Sequence, residues 1–282
     1  MKFSLGTVFF KPTKFDIESF INLSSNFKNS FCYLNSDLSK YQFDLLEGVS
    51  NICILGSKHN DGLSVAYNKI LSKALEINSE FVLLTDQDSR FDKLILNDFI
   101  KNVSLKEKEN PKVAIFSMVP QSINNKIEIN LTNKKNKFVP LQFSINSGSF
   151  IRLKAWKEIG GYDEKLFIDK IDTDFCNNLI KNNWKILKSE DHRFAHSIGH
   201  PKIFLFGLVK INSHNEFRHY HSMESRIYIL KKFKKNNPGK NLILYIKISK
   251  FILQVIKHNF LIIFFEDRKL IKLINIFKPF FK

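Results

Sequence analysis

Residues Phe81-Val82-Leu83-Leu84 form an unbroken apolar run that stops abruptly at Thr85-Asp86-Gln87-Asp88-Ser89. A short run with no polar alternation fits a strand covered on both faces, and such strands belong to layered α/β sheets. Acidic residues just past the carboxyl end of a buried strand lie where open α/β sheets bind ligands. This segment therefore constrains the fold class and the place of function together.

The flanking sequence agrees with an α/β reading. Residues 4–10 read as a first strand ended by Pro12, and residues 15–27 carry apolar side chains at helical spacing. Residues 30–34 form a second strand running into Asn35-Ser36-Asp37, and residues 51–55 a third. Asn60-Asp61-Gly62 starts a helix whose apolar face is Leu63, Ala66, Ile70, Leu71 and Ala74. After a polar helix, residues 113–119 read as a strand and 121–137 as a surface excursion. Residues 143–153 are strand-like around Ser147-Gly148-Ser149, where the backbone is expected to approach something closely. A short helix closed by Gly160-Gly161 follows, then a helix through Leu179, and residues 184–187 read as the last strand.

Past Leu242 the character changes. Lys247, Lys250, Gln254 and Lys257 recur at steps of three and four among apolar residues, which predicts an amphipathic helix with a narrow basic stripe. Lys269, Lys272, Asn275 and Lys278 repeat the pattern after a break near Glu266-Asp267. Its apolar side would either pack on the preceding domain or rest on an anionic membrane surface. The formal charge of +17 asks for an anionic partner, although the abundance of Lys, Asn, Ile and Phe also fits a compositional bias. Nucleic acid is disfavoured: lysines outnumber arginines, no recognised binding motif appears, and the acidic cluster would repel it. Cys32, Cys53 and Cys176 are scattered and unpaired in sequence, so neither a disulfide framework nor a zinc site is expected. The first ten residues are too short an apolar region for a secretory signal. No stretch approaches the ~20 uncharged residues of a membrane span, and a cytoplasmic location is expected.

Asp86 and Asp88 place two carboxylates on one loop, suited to a hard divalent cation such as Mg²⁺ or Mn²⁺. His196 could complete that shell. Asp172 precedes a helix and could serve as a general base. An Asp-x-Asp triplet alone is weak evidence, since in isolation a helix cap and a solvated turn explain it better, and Asp172-Thr173-Asp174 is a second one.

The order of the motifs carries more. The strand and loop from Phe81 to Ser89, Asn60-x-Gly62 with Ala66 and Asn68, Ser147-Gly148-Ser149, and Gly160-Gly161-Tyr162-Asp163-Glu164 through Asp172-Thr173-Asp174 succeed one another. His196-x-x-Gly199 and Arg218-x-Tyr220 with Arg226 follow. In this order they resemble the inverting family-2 glycosyltransferases of the GT-A fold, within them the rhamnosyltransferase-like branch, over about residues 4–232. The resemblance implies a nucleotide-sugar-binding mixed sheet flanked by helices, a catalytic domain over residues 1–205 and a helical region over 206–282. It implies a metal-dependent transfer of a sugar, L-rhamnose from dTDP-L-rhamnose, onto a glycan or lipid-linked glycan in the synthesis of a cell-surface polysaccharide such as O-antigen or capsule.

By the same resemblance Asp172 is the base, and Asp88, Asp86 and His196 hold the metal. Asp86, Asn35, Asn60, Gly62 and Asn68 serve the donor. Ser147, Gly148 and Asp169 serve the acceptor, and Arg218 and Arg226 contact phosphate or acceptor. Asp174 is read as a cap or an accessory. One position departs: the family usually has an aspartate before Asn-Ser at the end of the second strand, and this chain has Leu34. That would leave base recognition to Asn35 or backbone groups. An inactive binding module on the same fold is the alternative. His59, His192 and His258 read as surface residues, His219 and His221 as phosphate contacts or packing, and Trp156 and Trp184 as packing residues.

Overall fold

The computed structural model describes residues 2–56, 58–122, 137–196, 202–204, 209–211 and 215–281. They form two compact units, Met1–Glu164 with Ile171–Ser197, and Lys165–Lys170 with Ile198–Lys282.

The first unit runs β1 (Phe3–Phe9), α1 (Lys14–Ser24), β2 (Ser30–Leu34), α2 (Lys40–Glu47), β3 (Ile52–Leu55), α3 (Leu63–Glu76) and β4 (Phe81–Asp86). It continues through α4 (Lys93–Glu109), β5 (Val113–Ser122), β6 (Phe138–Leu141), β7 (Ser149–Arg152), α5 (Leu153–Glu158), α6 (Ile171–Lys181) and β8 (Lys185–His196). Its eight-stranded sheet has the order β3-β2-β1-β4-β7-β5-β8-β6. Strands β1 to β4 are mutually parallel, β7 enters antiparallel between β4 and β5, β8 lies parallel to β5, and β6 closes the edge antiparallel.

Central position explains the apolar run in β4. Phe81, Val82, Leu83 and Leu84 have no exposed surface, and each such side chain stabilises the fold by about 1.5–3 kcal/mol at most. The core is built on phenylalanine: Phe9, Phe81, Phe99, Phe116, Phe150, Phe175 and Phe194 are fully buried. Phe99 stacks on Phe150 at 5.6 Å, an offset arrangement aromatic rings favour. A reciprocal capping box between Thr13 and Asp16 starts α1.

The structure changes several readings. The last strand does not end at residue 187: β8 continues to His196, and its polar centre hides it from a search for alternation. There β8 bulges against β5, with Ser189 Oγ accepting from the backbone N–H groups of Asp191 and His192. His192 is not a surface residue. It is fully buried, with Nδ1 at 2.6 Å from Ser189 Oγ and Nε2 at 2.9 Å from Asp98 Oδ2, and these contacts offset its desolvation. Helix α2 and strand β6 escaped the pattern reading, and residues 143–148 precede β7 rather than extending it. Residues 121–122 finish β5, and the rest of the 121–137 excursion lies outside the described residues except Lys137.

The second unit has a two-stranded ribbon, β9 (Lys202–Phe204) and β10 (Val209–Ile211), and helices α7 (Glu216–Asn236), α8 (Asn241–Phe265) and α9 (Lys269–Phe277), ending in a 3₁₀ turn, Lys278–Phe281. Its small core is Met223, Ile262 and Ile276. His219, Glu266 and Lys272 are buried around one carboxylate, with Lys272 Nζ and His219 Nε2 at 2.7 and 3.3 Å from Glu266 Oε2. Burial alone would raise the Glu266 pKa, but the Lys272 and His219 charges and hydrogen bonds outweigh it and hold the carboxyl below its ordinary value. His258, read from sequence as a surface residue, lies 2.8 Å from His219 Nδ1 through its Nε2. Helix α8 spans the segment expected, but by length and composition it is long and apolar enough to cross a membrane, which the sequence reading did not expect of any stretch.

Candidate functional site

The site grows from the carboxyl end of β4. Asp86 is the last residue of that strand, and Ser89 N–H donates to the Asp86 carbonyl at 3.0 Å, closing a tight loop that carries Asp88. Gln87 pins this loop to the end of β1: its Oε1 accepts from Phe10 N–H at 2.9 Å and its Nε2 donates to the Phe10 carbonyl at 3.3 Å. Arg90 fixes the far side, exchanging both backbone hydrogen bonds with Ala195 at 2.8 and 2.9 Å, beside the end of β8. Its guanidinium also donates to the Gln87 and Ser89 carbonyls and to Asp16 Oδ1 at 2.7 Å. Burial would raise the Asp16 pKa, but the Thr13 hydrogen bonds and the Arg90 guanidinium outweigh it, so the carboxyl lies below its ordinary value.

This framework brings Asp86, Asp88 and His196 together, with one ligand atom from each lying within 4.8 Å of the others. His196 Nε2 is 3.9 Å from Asp86 Oδ2, and His196 Nδ1 is 3.6 Å from Asp88 Oδ1. Two carboxylates and one imidazole, all partly open to solvent, form a donor set that fits Mg²⁺ or Mn²⁺. A hydroxyl chain stands behind them. Ser147 Oγ accepts from Asp86 N–H at 3.0 Å and lies 2.7 Å from Ser89 Oγ, which lies 3.0 Å from His196 Nδ1. The segment holding Ser147 is itself stitched into the sheet, with Gly148 N–H donating to the Leu84 carbonyl and Met118 N–H to the Gly148 carbonyl, each at 2.9 Å. Gly148 has φ of +72°, and a Cβ there would meet the Phe194 ring at 2.3 Å, so no other residue fits. This is the close approach expected from the sequence. Ser147 and Gly148, assigned to the acceptor by resemblance, also tie the acidic loop to the sheet through these bonds.

Asp172 lies in the first turn of α6. Its charge reaches Tyr67 and Tyr162. Burial, followed by Asp86 and then Asp172, pushes the Tyr67 hydroxyl well above its ordinary pKa; burial and Asp172 do the same for Tyr162. Tyr67 Oη donates to Asp86 Oδ1 at 3.4 Å, and the Tyr67 ring lies 5.4 Å from that of Tyr162. Asp174 is buried and accepts from Asn178 Nδ2 at 3.1 Å within α6.

Asn68, on α3, is placed as a brace. Its Oδ1 accepts from Trp156 Nε1 at 3.0 Å and Tyr162 N–H at 2.9 Å. Its Nδ2 donates to the Tyr162 carbonyl at 2.9 Å and to Glu164 Oε1 at 3.0 Å. All four bonds an amide commonly makes are formed. Gly161 turns at φ of +81° against this amide, where a Cβ would lie 2.8 Å from Asn68 Oδ1. Tyr162, so held, stacks on Phe175 of α6 at 4.0 Å and donates to Asn146 Oδ1 at 2.6 Å.

On the donor side, Asn35 is buried and engaged with backbone: its Oδ1 accepts from Asp61 N–H and its Nδ2 donates to the Gly62 carbonyl. Asn60 Oδ1 accepts from Gly62 N–H at 3.3 Å at the start of α3. Leu34 is in the hydrophobic core. Its neighbour Tyr33 donates to Asp61 Oδ2 at 2.7 Å, and burial with that carboxylate raises the Tyr33 pKa to about 12. Asp61 is thus a carboxylate at the end of β2 that the sequence reading did not single out.

The remaining assigned residues lie in the second unit. Asp169 pairs with Arg218 at 3.5 Å, and Arg226 donates to Gln254 Oε1 at 3.1 Å. Phe167 stacks on His221 at 4.2 Å, so His221 packs. Gly199 lies outside the described residues. Arg90, Gln87, Ser89 and Tyr67 also contact the acidic loop; in sequence, Gln87 is signalled only as the middle of the Asp-Gln-Asp triplet, and Ser89 and Arg90 only by following it.

No family model matches the chain. It is 25% identical over 228 residues to the dTDP-rhamnosyl transferase RfbF of Shigella flexneri, covering 74% of each chain. Among solved structures it is similar to residues 1–349 of S. aureus TarS in complex with UDP-GlcNAc, with a TM-score of 0.59 at 14% identity over 99% of this chain and 80% of that one. It is also similar to GalNAc-T7 with UDP, GalNAc and Mn²⁺, with a TM-score of 0.55 at 11% identity over 70% of this chain and 44% of that one. The fold is therefore that of the GT-A glycosyltransferases, a mixed sheet with flanking helices and C-terminal helices following it.

Proposed function

We propose that this glycosyltransferase of the GT-A fold transfers L-rhamnose, with inversion, from dTDP-L-rhamnose to a hydroxyl of a glycan or lipid-linked glycan, in the making of a cell-surface polysaccharide. The observation that carries the reading is the convergence of Asp86, Asp88 and His196 at the end of a central strand. The 25% identity to a dTDP-rhamnosyl transferase supports the choice of donor.

Asp88, Asp86 and His196 would hold Mg²⁺ or Mn²⁺, which when bound neutralises the charge that gathers on a departing diphosphate. The hydroxyls of Ser89 and Ser147 hold His196 and the Asp86 backbone in place, so the acidic loop does not have to reorganise. Asp172 takes the proton from the acceptor hydroxyl as that oxygen attacks the anomeric carbon from the face opposite the diphosphate. The electrons of the carbon–oxygen bond leave with the phosphate, and no covalent enzyme intermediate forms. Asp61 and Asn35, at the end of β2, are the groups we assign to the nucleoside, in place of the aspartate that Leu34 replaces. Asp169, Arg218 and Arg226 are assigned to the acceptor. We place the reaction in the cytoplasm at the inner face of the cell membrane.

The test is binding and slow hydrolysis across a panel of nucleotide sugars, with Mn²⁺, with Mg²⁺ and with chelator. Metal-dependent binding of dTDP-L-rhamnose is expected, with Asp172→Asn retaining binding and losing transfer to acceptor. Transfer that survives Asp172→Asn would remove the base assignment, and folded protein that binds no donor would remove the function.

A further inference from the structure

Within the second unit the last helices expose an unusual amount of apolar side chain. Of 24 large hydrophobic residues exposed among the described residues, 16 lie between Leu242 and Phe281. Helix α8 has three faces rather than the two expected from sequence. Phe251, Val255 and Ile262 pack with Met223 and Ile227 of α7, and Ile262 is fully buried. At 3.6 residues per turn, Leu253, Ile256, Phe260 and Phe264 fall on the far side, each at least half exposed. Lys247, Lys250 and Lys257 lie along one flank between these faces. Helix α9 also has a covered and an open side, with Ile276 buried and Leu270 and Ile274 exposed, but Lys272 of its expected basic stripe turns inward to Glu266.

Exposed surface on this scale requires a partner, since soluble monomers rarely leave such patches open. Charge identifies the partner. Residues 231–282 hold 13 Lys and Arg against two Asp and Glu, so +11 of the chain's +17 is concentrated in this segment. Two copies meeting through this face would bring like charges together. A membrane span is opposed by Lys250 and Lys257, which would lie in hydrocarbon, and by α7, which packs on α8 and carries Lys231, Lys232, Lys234 and Lys235. An in-plane helix meets neither difficulty, because flanking lysines reach the headgroups while the apolar face enters the acyl boundary.

We infer that α8 and α9 form an interfacial patch that lies in the plane of an anionic bilayer surface, with the apolar face of α8 centred on Ile256 and Phe260 inserted and its lysine flank on the headgroups. The inference deepens the location proposed above and uses no feature of the transfer chemistry, so the two stand or fall separately.

The test is co-sedimentation of the full chain with phosphatidylcholine vesicles, with and without phosphatidylglycerol. Binding is expected to need phosphatidylglycerol, to weaken as salt rises, and to be reversed by an alkaline carbonate wash. The exposed double variant Ile256→Glu/Phe260→Glu should lower partitioning by about 100-fold while circular dichroism and metal-dependent donor binding stay as in the parent. Three results would overturn the patch: unchanged partitioning of the double variant, retention through the carbonate wash, or a vesicle-free dimer that the double variant converts to monomer. Vesicle binding without any donor binding would leave the patch standing and refute the transfer function.

Discussion

Replacing Asn68 with aspartate separates a brace from a donor ligand. The substitution keeps Oδ1, which accepts from Trp156 and Tyr162, and turns the Nδ2 donor into an oxygen facing the Tyr162 carbonyl and the Glu164 carboxylate at 2.9 and 3.0 Å. Two hydrogen bonds are lost at about 1 kcal/mol each, and the partly exposed contact with Glu164 becomes weakly repulsive. The total is about 2–3 kcal/mol. For a unit of this size each kcal/mol lowers Tm by about 2–4 °C, so scanning calorimetry should show a fall of about 4–12 °C. Tyr162 is the ring that stacks on Phe175 of the Asp172 helix, so loosening it should shift Asp172, the base proposed above. We expect kcat to fall about tenfold or more while the dissociation constant for dTDP with Mn²⁺, read by calorimetric titration, changes less than about twofold. An unchanged Tm together with a tenfold loss of nucleotide affinity would refute this reasoning and return Asn68 to the donor site.

Three further outcomes follow from the same geometry. Ser147→Ala removes the acceptor of Asp86 N–H and the partner of Ser89, and Mn²⁺ affinity measured by titration should weaken about tenfold with little change in Tm. Gly148→Ala adds a Cβ at 2.3 Å from the Phe194 ring on backbone with positive φ; it should destabilise by about 2–4 kcal/mol or prevent folding, seen in denaturant titration. The Asp16 pKa is lowered in the fold, so its pairing with Arg90 stabilises fully above the unfolded value near 3.9 and is lost as pH falls through the lowered value. The stability difference between the parent and Asp16→Asn should therefore be constant from pH 5 to 7 and shrink in more acidic solution.

Local chemistry was sufficient to read the parts of the molecule that repeat a pattern. The run from Phe81 to Leu84 announces a central strand because burial on both faces removes alternation, and the acidic loop at its end is where Asp86, Asp88 and His196 converge. The basic stripe of α8 and the break near Glu266-Asp267 were legible from helical spacing. What tertiary structure alone decided is which side chains are free. Asn35, Asn68, Ser147 and Gly148 stand in a linear motif, and only the fold shows that they also make contacts with segments up to 96 residues away. Arg90, Gln87 and Tyr67 carry no periodicity, and they matter because β1, β8 and α3 come to the same loop. The polar centre of β8 hid the strand that delivers His196, since a bulge closed by Ser189 and a buried His192 has no two-residue repeat. The outward apolar face of α8 was likewise invisible, because spacing gives a helix its faces and only packing shows which of them is covered.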